Sequence, residues 1–224
     1  VPARLRPTAP IAPDAILVGD PGRALLLAQE LLEQPKMSNH ARGLWGYFGR
    51  TAEGNELTIQ ATGMGGPSAV LVLEDLAELG VRRAVRVGTC VALGPEPEPG
   101  ELVAVGEAIA GGGSAGPLGV SVGEAVLPNA ALSQRLAEAL GKETELAAIV
   151  SYDAHLARER PGLAALGADM QTAPLLAAAS ALEIRAAAVL IVTEMVGSGE
   201  RLELEDLAEA ERKGGHAASA VLSG

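Results

Sequence analysis

The sequence predicts an α/β fold: a mixed, mostly parallel central sheet flanked by helices, in one domain spanning residues 1–224. Three observations carry that prediction. Apolar runs of strand length, Ala15-Ile-Leu-Val18 and Ala186-Ala-Ala-Val-Leu-Ile-Val192, alternate with longer segments whose apolar residues recur at helical spacing. One pair of strand-like segments is joined by turn chemistry that suits an antiparallel hairpin. Finally, no internal repeat or linker divides the chain, and 224 residues suffice for one sizeable core.

Residues 1–14 contain four prolines and read as an extended arm. The strand Ala15–Val18 breaks at Gly19-Asp-Pro-Gly-Arg23, where Asp20 suits a helix N-cap and Pro21 the first helical position. A helix follows from Ala24 to about Glu33, with Leu25, Leu26, Ala28, Leu31 and Leu32 as its apolar set. The hairpin joins Gly43–Arg50 to Glu56–Ala61 through Ala52-Glu-Gly-Asn55. Gly63-Met-Gly-Gly-Pro-Ser68 opens a helix over Ala69–Leu79, and its glycines permit close approach of backbone to a ligand. The apolar, basic run Val81–Val85 then begins a strand ending at Cys90, which completes a parallel β-α-β pattern.

Downstream, strands are predicted at Glu101–Val105 and Ala147–Val150, with a helix at Ala130–Leu140 between them. The glycine-rich residues 111–119 form either a plain linker or a ligand-covering loop. Ser151-Tyr-Asp153 leads to a charged patch at Arg158-Glu-Arg160. Ala168-Asp-Met-Gln171 precedes an alanine-rich helix reaching about Leu182, with Pro174 in its first turn. The late strand Ala186–Val192 ends in Thr193-Glu194, and a last helix from about Leu204 to Leu222 carries Arg212.

Composition narrows the function. Hydrophobic residues make up 48% of the chain and aromatics 2%, so Ala, Val, Leu and Ile build the core and no aromatic-paved sugar or nucleic-acid surface is available. A net charge of −11 repels a polyanion, so no nucleic-acid partner is expected. A small anion remains possible where arginines cluster. One cysteine excludes an internal disulfide, and Cys90 reads as a buried structural thiol. His40, His155 and His216 form no metal-binding spacing, so no metal or organic cofactor is expected. No apolar run reaches the ~18 residues that span a bilayer, and the first residues lack the apolar centre of a signal peptide. A soluble, cytoplasmic protein without a membrane partner is the expectation.

Two places suit an anion. Arg86-Val-Gly-Thr-Cys90 ends a strand with a fixed cation, a glycine and a hydroxyl, and Arg23 stands where a strand gives way to a helix N-terminus. Each has an ordinary structural explanation too: an ion pair, or a turn.

Taken together, Gly19-Asp-Pro-Gly-Arg23, Arg42-Gly-Leu-Trp-Gly-Tyr47, Gly63–Ser68 and Arg86–Cys90 resemble, in order and spacing, motifs of the hexameric purine nucleoside phosphorylase and uridine phosphorylase family. The resemblance runs over roughly residues 15–222 and is strongest through residue 110. It implies cleavage of a nucleoside's glycosidic bond by inorganic phosphate as co-substrate, giving a free base and a pentose 1-phosphate. Gly19, Arg23, Arg86 and Thr89 match the family's phosphate site, and Arg42 matches an arginine donated by a neighbouring subunit. A homo-oligomer built from dimers, as a hexamer, is thereby implied.

Other positions depart from the family pattern. Glu194 stands where purine enzymes place the aspartate that protonates the base, and Arg212 matches its helper arginine. Met170-Gln171 replaces a Met-Glu pair that grips the ribose hydroxyls, so Gln171→Glu is expected to raise activity on ribonucleosides. His155 stands in place of an aromatic ring that stacks on the base, and Thr193 precedes the acid. The arm also lacks the family's histidine. A phosphorylase is the expectation, because the phosphate half of the pattern is intact, with a hydrolytic nucleosidase or a non-catalytic binding descendant as the alternatives, and neither base nor sugar is assigned.

Overall fold

The computed structural model describes residues 2–141, 146–154 and 164–224. β1 (Asp14–Val18) turns into α1 (Pro21–Leu31), where the Asp20 carboxylate accepts from the Arg23 amide at 2.9 Å and Pro21 takes the first turn. The helix stops at Leu31, and Glu33–Asn39 forms β2, an edge strand that the sequence does not signal. Its first five residues are exposed and include Pro35, a pattern that reads as loop. The predicted hairpin is β3 (Gly46–Arg50) and β4 (Glu56–Ala61), with Tyr47 opposite Ile59.

α2 (Gly66–Glu78) connects to β5 (Arg83–Ala92), and β6 (Leu102–Ala110) runs well past the predicted Val105, pairing with the short β7 (Ala125–Val126). α3 (Ala130–Ala139), β8 (Ala147–Ser151), β9 (Gly167–Asp169), α4 (Thr172–Ala181), β10 (Arg185–Met195) and α5 (Leu204–Leu222) complete the chain. β7 and β9 are too short for periodicity to reveal.

The strands form one mixed, ten-stranded sheet in the order β10-β6-β8-β9-β5-β1-β4-β3-β2, with β7 on β6. β10 pairs with β5 as well as with β6, so β10, β6, β8, β9 and β5 close into a circuit. The parallel β5–β10 ladder runs from Arg83↔Arg185 to Ala92↔Met195. Its register slips between Val192 and Glu194, so Thr193 is an extra residue on β10. Such a bulge bends a strand and re-aims the side chains after it.

Side-chain alternation sorts the core into two layers. Ala84 and Cys90 of β5 and Ala188, Leu190 and Val192 of β10 pack with α2 and α4. Val85 and Val87, with Val189 and Ile191, face α1, α3 and α5. Eight residues of α4, Thr172 to Ala179, are buried, so this helix is enclosed on all sides. The arm is docked rather than loose. The buried Asp75 of α2 receives the amides of Arg4 at 2.6 Å and Leu5 at 2.7 Å, with the Arg4 guanidinium at 3.0 Å. Burial alone would raise the Asp75 pKa; the bonds from Leu5 and Arg4 outweigh it and hold the carboxyl below its ordinary value.

Candidate active site

A cleft of about 360 Å³ opens at the carboxyl ends of β1, β5 and β10, where open α/β sheets place their ligands. It brings together eight of the residues singled out from the sequence: Gly19, Arg23, Arg86, Thr89, Met170, Gln171, Thr193 and Glu194. They come from distant parts of the chain. Gly19 follows β1, Arg23 lies in the first turn of α1, Arg86 and Thr89 belong to β5, and Met170 and Gln171 join β9 to α4.

Both cleft arginines are buried, and each has its own carboxylate. Arg23 Nε donates to Glu211 Oε1 of α5 at 2.7 Å, and its Nη1 lies 3.4 Å from the Val87 carbonyl. Arg86, 4% exposed, donates Nη2 to Asp169 Oδ2 at 3.0 Å, Nη1 to Gln171 Oε1 at 2.7 Å and Nε to Thr172 Oγ1 at 3.1 Å. Burial pushes the Arg86 pKa down, and Asp169 opposes that loss of charge. Asp169 is itself held by the Thr172 amide and hydroxyl and by the Ser151 hydroxyl. A buried ion pair needs such satisfied surroundings, or desolvation would outweigh its attraction.

Gly88 is what lets Arg86 take this position. A Cβ on Gly88 would lie 2.5 Å from the guanidinium carbon, so the side chain folds back over the glycine two residues on. The close approach that Gly88 permits is made by Arg86. Cys90, also on the cleft wall, is buried, and burial pushes its thiol well above the ordinary range, which leaves it inert.

The β10 side of the cleft is different. Glu194, Val91 and Ala168 are neighbours across β10, β5 and β9, and the Thr193 hydroxyl donates to the Cys90 carbonyl at 3.2 Å. Glu194 is largely buried, with Oε2 3.5 Å from Arg201 Nε on the loop after β10. The cleft therefore offers guanidinium groups and a helix N-terminus from α1 and β5, and from β10 a carboxyl group that lies beside Arg201.

Two singled-out residues, Arg42 and Arg212, do not line the cleft. Arg42 sits exposed on a 3-10 turn, Ala41–Gly43, with a left-handed φ of 60°. Arg212 lies on the outer side of α5, Nε 3.4 Å from Glu30 Oε2. His155, with the Arg158–Arg160 patch, lies outside the described residues. Residues 111–119 do not line the cleft either; the Asp153 carboxylate takes the Gly113 amide at 2.6 Å and the Ser114 hydroxyl, which pins the start of this loop. Sequence reading missed Asp169 and Glu211. Once Arg23 and Arg86 are taken as buried, a carboxylate for each is demanded, but not which one.

Residues 13–224 match the phosphorylase superfamily profile. The chain is 30% identical over 205 residues to a DeoD-type purine nucleoside phosphorylase of Limosilactobacillus reuteri, covering 87% of this chain and 86% of that protein. It is 31% identical over 209 residues to the Roseobacter denitrificans protein of the same name, covering 88% of each. A namesake from Oceanobacillus iheyensis is 43% identical over 84 residues, a match spanning 37% of this chain and 35% of that protein. Among solved structures, uridine phosphorylase from Vibrio fischeri superimposes with a TM-score of 0.81 at 21% identity, over 95% of this chain and 92% of that one. Purine nucleoside phosphorylase from Toxoplasma gondii in complex with immucillin-H gives the same score and identity, over 95% and 91%. The α/β fold is shared with both, and with a profile match spanning β1 to α5 the chain belongs to the phosphorylase superfamily.

Proposed function

We propose that this protein cleaves the N-glycosidic bond of a nucleoside with inorganic phosphate, releasing the base and a pentose 1-phosphate. The observation that carries the reading is the composition of the cleft. Arg23 at the start of α1 lines it with Arg86 and Thr89 of β5, and Glu194 lines it from beyond the β10 bulge, across from Val91. Phosphate bound beside Arg23 and Arg86 would attack the anomeric carbon through an oxygen as the carbon–nitrogen bond breaks, and the bonding pair leaves with the base. An oxocarbenium-like transition state is expected, as in other glycosidic cleavage. Glu194 would donate its proton to that base, a general-acid role that requires hydrogen-bond reach. Arg212, the helper implied by resemblance, would have to leave Glu30, whereas Arg201 already lies beside Glu194. Met170 and Gln171, with Thr193, lie where the nucleoside would be held, and His155 is proposed to face the base.

The charge of the site supports an oligomer. The cleft is lined by two arginines, Arg23 and Arg86, and three carboxylates, Asp20, Asp169 and Glu194. Phosphate would therefore meet fixed donors but no surplus of positive charge. A further cation is needed, and the exposed Arg42 of a second copy is our candidate, in a dimer unit that repeats to a hexamer. We further propose a single cytoplasmic domain, 1–224, that uses phosphate and no metal. Purines are the favoured base, since the relatives matched over most of their length carry that name.

The test is base release from purine and pyrimidine ribo- and deoxyribonucleosides, each with and without phosphate. Purine release only with phosphate is the expected result. Release without phosphate would mean hydrolysis, and no release from folded protein would mean a binding role.

A further inference from the structure

Arg42 has an exposed side chain, but the backbone that carries it is tightly held. Arg42 and Gly43 both have left-handed φ values, 60° and 71°, and only the glycine enters that region without steric cost. A residue with a Cβ stays there where its surroundings over-determine it, and such residues cluster at functional sites. Here the surroundings centre on one amide. Asn39, the last residue of β2, is fully buried. Its Nδ2 donates to the Ala41 carbonyl at 3.3 Å and to the Leu44 carbonyl at 2.5 Å, on either side of Arg42. Gln60 of β4 also donates to the Leu44 carbonyl, at 2.9 Å, and the Leu44 amide closes the turn on the Ala41 carbonyl at 3.1 Å.

The other end of the Asn39 side chain reaches the arm. Its Oδ1 accepts from the Arg6 amide at 2.8 Å, across 33 residues. The orientation of the side chain is fixed by chemistry, because a backbone N–H only donates and a carbonyl only accepts. Arg6 is fastened on both sides. Before it, the amides of Arg4 and Leu5 are held by the buried Asp75; after it, the Thr8 amide donates to the Ser38 carbonyl at 2.7 Å. One buried amide thus ties the arm, the end of β2 and the Arg42 turn together. Among the described residues, the Arg42 guanidinium itself has no carboxylate partner, so the bonds fix its backbone and leave its charge for a ligand.

We propose that Asn39 is a positioning residue for anion binding, a brace that holds the Arg42 turn against the docked arm. A guanidinium that reaches the cleft of a second copy then does so from a fixed backbone. This role rests on the reading that Arg42 serves a neighbouring cleft; the brace itself does not. The physical gain is preorganisation. A loose turn would lose conformational freedom at the moment phosphate binds, and that cost would subtract from affinity. Asn39 has the turn ordered beforehand. Its loss therefore weakens phosphate binding although Asn39, being buried, touches no phosphate.

Two readouts on the parent, Asn39→Ala, Arg42→Ala and the double variant test this. Trypsin cuts after arginine, and cleavage of a folded chain follows how often the segment opens. Cleavage of the Arg42–Gly43 bond, timed by mass spectrometry, should run about tenfold faster in Asn39→Ala than in the parent, the scale of one lost hydrogen bond. Calorimetric titration with inorganic phosphate should show affinity about tenfold weaker in Asn39→Ala. In the Arg42→Ala background the same substitution should add nothing, because its effect passes through Arg42. Asn39→Asp keeps an acceptor for Arg6 and removes the donors to the turn. It should weaken phosphate binding similarly, which decides the matter if the alanine variant does not fold. Cleavage at the parent's rate in folded Asn39→Ala would overturn the brace. Equal weakening with and without Arg42, or phosphate affinity within about threefold of the parent where Arg42→Ala is impaired, would overturn the positioning role. If cleavage accelerates in Asn39→Ala while Arg42→Ala binds phosphate normally, the reading of Arg42 as a donated residue fails and the brace stands.

Discussion

Four arginines were legible as candidates, and they divide into two pairs. Arg23 and Arg86 are buried in the cleft wall, each bonded to a carboxylate of this chain; Arg42 is exposed, and Arg212 is about half exposed against Glu30. The first pair is placed by the fold. A buried guanidinium must be paired, so the chain supplies Glu211 and Asp169, and the resulting groups are rigid donors with little net charge. The second pair is more exposed, with Arg212 beside Glu30, and this chain alone does not bring it to the cleft. In the reading we propose, the geometry and the charge for binding an anion come from different residues.

Disturbing the rigid pair should have the largest effect. Gly88→Ala would put a methyl group 2.5 Å from the central carbon of the Arg86 guanidinium and 2.8 Å from Leu190 Cδ2, without removing any polar group of the cleft. We expect kcat/KM to fall by about 100-fold, the scale set by an ångström of misplacement near the reacting atoms. Steady-state kinetics with a melting curve would check it. Full activity in Gly88→Ala would mean that Arg86 works from another position. The exposed pair should give a smaller and differently shaped effect. Arg42→Ala should raise the KM for phosphate by about 10- to 100-fold, the worth of one or two charge-assisted bonds, with an unchanged melting temperature. An unaltered phosphate KM would remove Arg42 from the site and leave the charge of the cleft unexplained.

The same division marks what the sequence made legible. Among the described residues, apolar runs and helical spacing located the long strands and α1, α2, α3 and α5, because a buried face leaves a periodic trace, while alanine content located α4, which is buried all round. β2 left none, being exposed and interrupted by Pro35, and β7 and β9 are too short to show a period. In the cleft, residues inside local motifs were found, such as Arg23 in Gly19–Arg23 and Arg86 beside Gly88. Their partners were not, since Glu211 is 188 residues from Arg23 and Asp169 is 83 from Arg86. The bonding of Gln171 was hidden for the same reason. In the sequence it is a departure from a motif; in the fold it bonds across 108 residues to Gly63 and across 85 to Arg86. Long-range pairing is set by topology, and no local pattern encodes it.

The central claim is that phosphate is the nucleophile, and phosphorus NMR of the reaction products tests it most directly. Incubation with a purine nucleoside and inorganic phosphate should yield a new sugar phosphate ester signal that grows in step with the released base. Base appearing while inorganic phosphate remains the sole phosphorus signal would show that water attacks, and would contradict the account.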